Sequence, residues 1–561
     1  MTEIPSGATS VLVVGGGPCG LMLAIELGRR GVATILIDRK PGTAVNPQAN
    51  ATQARTMEHF RRLGFAAEIR ALGLPPDYPT DIAYFTRYGR HELARFKLPP
   101  SRRAGDIVRD LGGSWSAAEL PHRVSQKFVE QVLRRHAAGQ PTVAMHYGWQ
   151  LDSFVERADG VHCLIEEVAT GARRSIQAQY LLGVDGARST VRRQLGIGFS
   201  GETGVQRDFF GGRMVAVYLR APDFYARIAH ERAWMYWAFN AERRSWLAAV
   251  NGRDEFAFHT QLRPGEEDGP ISAARARELF AQVMGVPLEI ELLAVDTWIA
   301  GHALVAESFG GGRVYIGGDA AHLFTPAGGL GYNTAVEDAV NLAWKLATVL
   351  RGSGGAGLLA SYGYERRKLA VRNTGYARQF AASIGNYVPP PALERDDAEG
   401  AAARAAAGAF LAAHARREFN IPGVTFGGRY DGSPVIPADG AALAPDCANE
   451  YVPTASPGGR PPHCWLDDGR SLYDSFGPEW TLLRLGAAPP PAEELTRAAA
   501  AAAVELQTVD IPAPAVRSLY EADLVLIRPD QIVAWRGSSA PRDPQALFAA
   551  LLGRSGAGAA A

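Results

Sequence analysis

Gly15, Gly17 and Gly20 stand in the spacing Gly-x-Gly-x-x-Gly within VLVVGGGPCGLMLAIELGRRGVATILID, residues 11–38. Glycines spaced this way handle phosphate without a side chain. Gly15 permits a tight turn, Gly17 lets backbone approach a pyrophosphate, and Gly20 lets a helix pack on a strand while the helix N-terminus offers N–H donors. Asp38 follows Gly17 by 21 residues, where a carboxylate can accept hydrogen bonds from ribose hydroxyls. A second carboxylate, Asp185, precedes Gly186 in QYLLGVDGARSTVRR, an apolar strand entering a tight turn. A third, Asp319, ends the run VYIGGD and is followed by the loop GGLGYN, residues 328–333. A helix is expected from near Thr334, and its free N–H groups and positive dipole end would stabilise negative charge on whatever the loop covers. The glycine motif marks a dinucleotide site but does not separate FAD from NAD.

Positioning these residues requires strands that end in loops and helices that begin there. Residues 1–385 alternate short Val/Ile/Leu runs with amphipathic stretches and Gly-rich turns, the pattern of an α/β unit with a partly parallel sheet. Pro389, Pro390 and Pro391 break the chain, and residues 394–418 have the composition of a connecting helix. A turn-rich stretch follows from Ser433 to Pro462, so 386–462 is read as a linker. Residues 463–553 run strand TLLRLG, an Ala-rich helix around 498–503, strand VELQTVDIP and the hairpin LVLIRPDQIVAWR, a β-α-β-β order that suggests a thioredoxin-like layer. Residues 554–561 are expected to be a flexible tail.

Composition narrows the partners. The chain has 561 residues, 47% hydrophobic and 21% charged, with 58 basic and 58 acidic side chains. A neutral total supplies no field for nucleic acid or an anionic membrane, which leaves small, largely apolar ligands as the expected partners. Only five of the basic residues are Lys, which reads as the codon bias of a GC-rich bacterial genome. Cys19, Cys163, Cys447 and Cys464 form no C-x-x-C pair or metal-like cluster, so no metal is expected and a reducing cytoplasm fits. The apolar run 11–25 is interrupted by three glycines and preceded by no Lys or Arg, unlike a signal peptide, and no apolar run is long enough to span a membrane.

Four ordered motifs, Gly15-x-Gly17-x-x-Gly20, Gln126 in RVSQKFVEQVL, Asp185-Gly186 and Asp319 with GGLGYN, carry a resemblance. Over residues 8–385 the sequence resembles the class A flavin-dependent aromatic hydroxylases, the group of para-hydroxybenzoate and phenol hydroxylases. The hairpin at 523–537 is similar to the C-terminal domain of the phenol and dichlorophenol hydroxylase branch. The resemblance implies α/β architecture (α+β overall): a Rossmann-like FAD-binding domain interleaved with a β-sheet substrate domain, mainly residues 80–115 and 195–305. A C-terminal thioredoxin-like domain without redox cysteines would support assembly as a homodimer. It further implies tightly bound, non-covalent FAD, with Asp38 and Arg39 on the adenosine side, Gln126 and Arg55 at the flavin's linker, Asp319 on the ribityl-pyrophosphate, and Gln48 and Asp185 also among the cofactor-binding residues. Gly329, Leu330, Gly331 and Asn333 would line the pyrimidine edge.

By the same resemblance, NAD(P)H reduces the flavin as a transient co-substrate, O₂ forms a C4a-hydroperoxide, and its distal oxygen passes to a phenolic or polyketide-like ring. The phenol hydroxylase segment GQAD corresponds here to Pro47-Gln48-Ala49-Asn50, placing an amide where a carboxylate would assist deprotonation. Either Asn50 only orients the phenol or quinol, or the proton leaves through water, or the residue only forms a turn. Arg244 and Trp246 resemble an Arg-x-Tyr pair that reaches the phenol, with Trp in place of Tyr. Alternation in AWMYWAF puts Trp234 and Tyr236 on one face, while Phe324 and Pro326 must lie near the flavin. His322 is read as a structural neighbour. The flavin-halogenase signature W-x-W-x-I-P is absent. Baeyer–Villiger or epoxidising chemistry on the same fold, and a non-catalytic FAD-binding protein, remain alternatives.

Overall fold

The computed structural model describes residues 7–44, 46, 49–204, 209–263, 265–266 and 269–554. Gln48 lies outside the described residues. The two apolar runs that flank the glycine motif form neighbouring parallel strands, Gly7–Val14 and Thr34–Asp38. Unbroken apolar runs suit strands covered on both faces, and Val11, Leu12, Val13, Leu36 and Ile37 are all buried. The parallel part of this sheet runs Val314–Ile316, Arg173–Gly183, Gly7–Val14, Thr34–Asp38, Val143–Tyr147. Arg173–Gly183 also pairs antiparallel with Gly160–Glu167, which in turn pairs with Trp149–Arg157. Helices Pro18–Gly28 and Leu330–Leu350 pack on each other and are buried along most of their length. Asp185, Asp319 and the Gly15 loop therefore all follow the carboxyl ends of neighbouring parallel strands, where open α/β sheets bind ligands.

A second sheet of seven strands stands beside it, in the order Glu291–Ile299, Arg213–Arg220, Glu255–Gln261, Arg244–Ala249, Met235–Phe239, Ile82–Phe85, Glu92–Phe96. Its register sets one row of side chains: Tyr84 opposes Trp237, Trp237 opposes Trp246, and Trp246 opposes His259. Tyr236 belongs to the next row, opposite Ala83 and Leu247, and so points to the other face.

The connecting helix spans Ala398–Phe419, four residues later than its predicted start, because Pro391–Glu394 forms a short 3₁₀ turn first. A short helix, Pro422–Phe426, follows, and the chain then runs without helix or strand to Arg470. The last sheet is ordered Leu506–Ile511, Trp480–Leu485, Leu524–Ile527, Val533–Gly537, with the first pair parallel and the others antiparallel. Helices Glu493–Ala501, Pro514–Tyr520 and Pro544–Leu551 complete it. Trp480 meets Trp344 of the helix Leu330–Leu350 edge to face at 5.7 Å, which joins this unit to the first sheet's core.

Candidate active site

A cavity of about 620 Å³ lies between the two sheets and is lined by residues of both. One end is built from backbone. Gly15 has φ +119°, and a Cβ there would stand 2.3 Å from the Val184 carbonyl oxygen. A Cβ on Gly20 would fall 1.8 Å from the Gly15 oxygen, so this residue is excluded from the cavity wall and instead lets the helix Pro18–Gly28 close on the loop. At Gly17 nothing lies within 4 Å of the added carbon: the cradle is open toward the cavity.

Asp38 steadies this turn. Its Oδ2 accepts from Gly16 N–H at 2.6 Å and its Oδ1 from Lys40 N–H at 2.7 Å. Asp38, Arg39 and Lys40 line the cavity beside the loop. Asp185 Oδ2 accepts from Thr190 N–H at 2.6 Å, while its buried Oδ1 has no hydrogen-bond partner in the protein. Burial pushes the Asp185 carboxyl above its usual range, against the hydrogen bonds from Ser189 and Thr190. Asp319 faces the cavity, and desolvation raises it likewise, partly offset by His322. His322 itself is fully buried and bonds Asp338 at 2.6 Å, with Arg366 on the other oxygen at 2.8 Å, as expected of a structural neighbour. An open glycine cradle, a helix start at Pro18 and a carboxylate oxygen awaiting a donor suit the pyrophosphate and polyol of a dinucleotide.

The loop GGLGYN closes the wall opposite. Gly328 and Gly329 adopt φ +72° and +63°, which only glycine takes up without strain, and the helix then starts at Leu330 rather than near Thr334. Only these two glycines need left-handed backbone, so Leu330, Gly331 and Tyr332 already form the first helical turn. Gly329, Leu330 and Gly331 line the cavity, as do Phe324, Pro326, Gln126 and Asn50. Asn50 Oδ1 is buried without a hydrogen-bond partner. Gln126 Nε2 donates to Glu130 at 2.7 Å.

The far end is aromatic. Trp234, Met235, Trp237, Trp246, Phe210 and His259 line it. Trp246 stacks on His259 at 4.5 Å and 8°, and Trp237 and Phe210 meet Trp246 at 5.7 and 5.1 Å. Burial pushes His259 down to about 3, so its ring is neutral at physiological pH. Arg123 is 7% exposed in the same cavity, its guanidinium 4.4 Å from the Trp234 ring centroid.

Residues 8–376 match the FAD binding domain family and residues 454–556 the C-terminal domain of aromatic-ring hydroxylases. The chain belongs to the FAD-dependent aromatic-ring hydroxylases. It is an FAD-dependent monooxygenase, a class that draws on NAD(P)H and O₂. Among relatives of this hydroxylase, the tetracenomycin B2 monooxygenase-dioxygenase of Streptomyces olivaceus is 32% identical across 98% of both chains. Phenol 2-monooxygenase of a Pseudomonas species is 29% identical over 97% of this chain and 92% of its own. The solved structure of the rebeccamycin biosynthetic enzyme RebC with reduced flavin superposes with a TM-score of 0.87, at 33% identity, covering 98% and 100% of the two chains.

Four residues predicted for the hydroxylase site stand elsewhere. Arg55 is buried away from the cavity, where it donates to Glu58, to the Gln531 side chain and to the carbonyls of Asp530 and Gln531, because its helix faces the C-terminal unit. Asn333 is turned into the protein: its Oδ1 accepts from Gln53 N–H and Thr56, and its Nδ2 donates to Ala51 and Gly329. It shapes the loop from behind. Tyr236 packs among Phe85, Phe224 and Tyr88, on the face opposite Trp237. Arg244 is outside the lining and donates to the Gly385 carbonyl at 3.1 Å. Trp246 does line the cavity. Sequence reading missed Trp237, His259 and Arg123. The first two become visible only through cross-strand register, whereas Arg123 stands three residues before Gln126 in the motif already singled out.

Proposed function

We propose that this hydroxylase converts a ring C–H to C–OH on a phenolic ring of a flat, polyketide-like aromatic substrate held in the slot formed by Trp234, Trp237, Trp246, Phe210 and His259. The observation that carries this reading is the slot itself: stacked indole and imidazole planes opening into the same cavity as the glycine cradle and the GGLGYN loop. The names of relatives that act on phenol and tetracenomycin B2 support it. When bound, FAD supplies the redox and oxygen-activating chemistry. Gly17, Asp185, Asp319 and the helix N-terminus at Leu330 would hold it.

The chain's own residues do the rest. Aromatic walls exclude water and fix the ring by offset and edge contacts, so the reacting carbon is presented in one orientation. The amide of Asn50, with its buried oxygen awaiting a donor, orients a substrate hydroxyl without removing its proton, since an amide has no acid–base function at neutral pH. Neutral His259 adds a polar edge to an otherwise apolar wall.

The test uses purified holoenzyme with NADH or NADPH and a panel of phenols and hydroxylated naphthalenes under ¹⁸O₂. The expected outcome is ring-accelerated NAD(P)H oxidation and a product gaining one ¹⁸O with its carbon ring intact. A lactone or ring-opened product would instead assign Baeyer–Villiger oxygenation, and cofactor oxidation yielding hydrogen peroxide alone with every aromatic compound would overturn the reading.

A further inference from the structure

Arg123 is an unusual residue to find in an aromatic slot. Its side chain is more than nine-tenths buried, and among the described residues no carboxylate and no hydrogen-bond acceptor meets its guanidinium. Its guanidinium lies over the face of Trp234, 4.4 Å from the ring centroid. A cation–π contact is worth about 2 kcal/mol when desolvated, less than the several kcal/mol that burying an uncompensated ion costs. Burial accordingly pulls the guanidinium down to about 10, still charged at neutral pH. Two acids that line the same cavity have other partners: Glu130 accepts from Ala44 N–H and Gln126, and Glu418 accepts from Gly328 N–H and pairs with His414.

The other cations of the cavity, Arg39, Lys40 and Arg188, are exposed and follow Asp38 and Asp185 at the glycine-loop end. They are placed to meet phosphate. Arg123 instead shares its wall with Trp234 and Met235, at the start of the strand Met235–Phe239 of the seven-stranded sheet.

We propose that Arg123 is the anion receptor of the substrate slot, binding an oxyanion, a carboxylate or an ionised hydroxyl, on the aromatic substrate through the paired N–H groups of its fork. This rests on the hydroxylase reading above and narrows it to acidic aromatic rings. The planar guanidinium suits bidentate capture, and a charge-assisted pair in a dry site is where such a contact discriminates most. Binding also resolves the buried charge, so affinity for the anionic form exceeds that for a neutral isostere of the same ring.

The experiment measures dissociation constants from the absorbance change of enzyme-bound FAD, with two matched pairs of probes: 1-hydroxy-2-naphthoate against its methyl ester, and 2-hydroxy-1,4-naphthoquinone against its 2-methoxy ether. In at least one pair the wild-type holoenzyme is expected to prefer the anion by roughly tenfold or more, about 1.4 kcal/mol. Arg123→Met should abolish that preference while its FAD content and melting temperature stay at or above wild type, because it removes an uncompensated buried charge. Arg123→Lys, which keeps the charge but not the fork, should retain part of the preference and carries the test should the Met variant misfold. Absence of preference in both pairs, a preference insensitive to both substitutions, or loss of FAD from the variants would overturn the proposal, the last by assigning the cation to a cofactor phosphate. Because this readout needs no turnover, its failure is distinguishable from failure to hydroxylate.

Discussion

Asn50 occupies the position where a proton-accepting carboxylate was expected by resemblance, and its buried Oδ1 has no protein partner. A buried acceptor left unpaired costs about 1–3 kcal/mol, so a ligand hydroxyl that satisfies it gains orientation at little cost. Asn50→Ala is expected to lower kcat/KM for the best aromatic substrate roughly three- to tenfold, the range of a net hydrogen bond of about 0.5–1.5 kcal/mol. Bound FAD should stay at wild-type content. Unchanged steady-state kinetics would remove Asn50 from the substrate site and leave it as a turn residue.

At the scale of elements, two of the three glycines of the phosphate motif do different work. Gly20 serves packing, since an added methyl collides with the Gly15 carbonyl at 1.8 Å, whereas Gly17 serves the ligand, since an added methyl meets only open cavity. Gly20→Ala should therefore push the helix Pro18–Gly28 off the sheet and lower stability by about 1–3 kcal/mol, the range of overpacked cores. Gly17→Ala should leave the far-UV spectrum unchanged but weaken FAD binding by roughly tenfold or more, equivalent to about 1.4 kcal/mol. Titrating each apoprotein with FAD and following its melting separates the two effects, and equal behaviour of both variants would contradict the division.

Across the whole molecule, the C-terminal region is tied to the cavity by a buried ionic chain. Glu58, on the helix Ala54–Arg62, accepts from Arg460 at 2.5 and 3.0 Å, from Arg55 at 3.0 Å and from Ala118 N–H at 3.0 Å. Arg55 continues to Asp530 and Gln531, while Gln53 and Thr56 hold Asn333 behind the GGLGYN loop. Burial would raise the Glu58 carboxyl, but Arg460 and Arg55 outweigh it and hold it down to about 2. A depressed acid contributes stability that is full above its unfolded value of about 4.5 and is lost as pH falls toward 2. Glu58→Gln leaves two buried guanidiniums short of charge and should cost about 3–5 kcal/mol at pH 7, read as an earlier melt with earlier FAD release. That deficit should shrink as pH drops below 4.5. A pH-independent deficit would show that packing, rather than charge, is what the glutamate contributes.

The dinucleotide end of the site was legible in the sequence because its determinants are local. A strand, a glycine turn and the next helix are contiguous, so spacing alone positions Gly15, Gly17, Gly20 and Asp38, and short apolar runs place Asp185 and Asp319 at strand ends. The aromatic slot was not legible, because its members meet through register. Trp237, Trp246 and His259 lie on three strands whose alignment is fixed by sheet pairing, and a one-residue shift of parity turns Tyr236 away and brings Trp237 in. Arg55 and Asn333 turn away from the cavity for the same reason, since their partners, Asp530 and Gln531 for one and Gln53 for the other, are distant in sequence. Sequence by itself determined the cofactor class and the fold that carries it. Only the tertiary structure decided which side chains face the substrate, because the direction of a side chain depends on pairing between segments that no local pattern specifies.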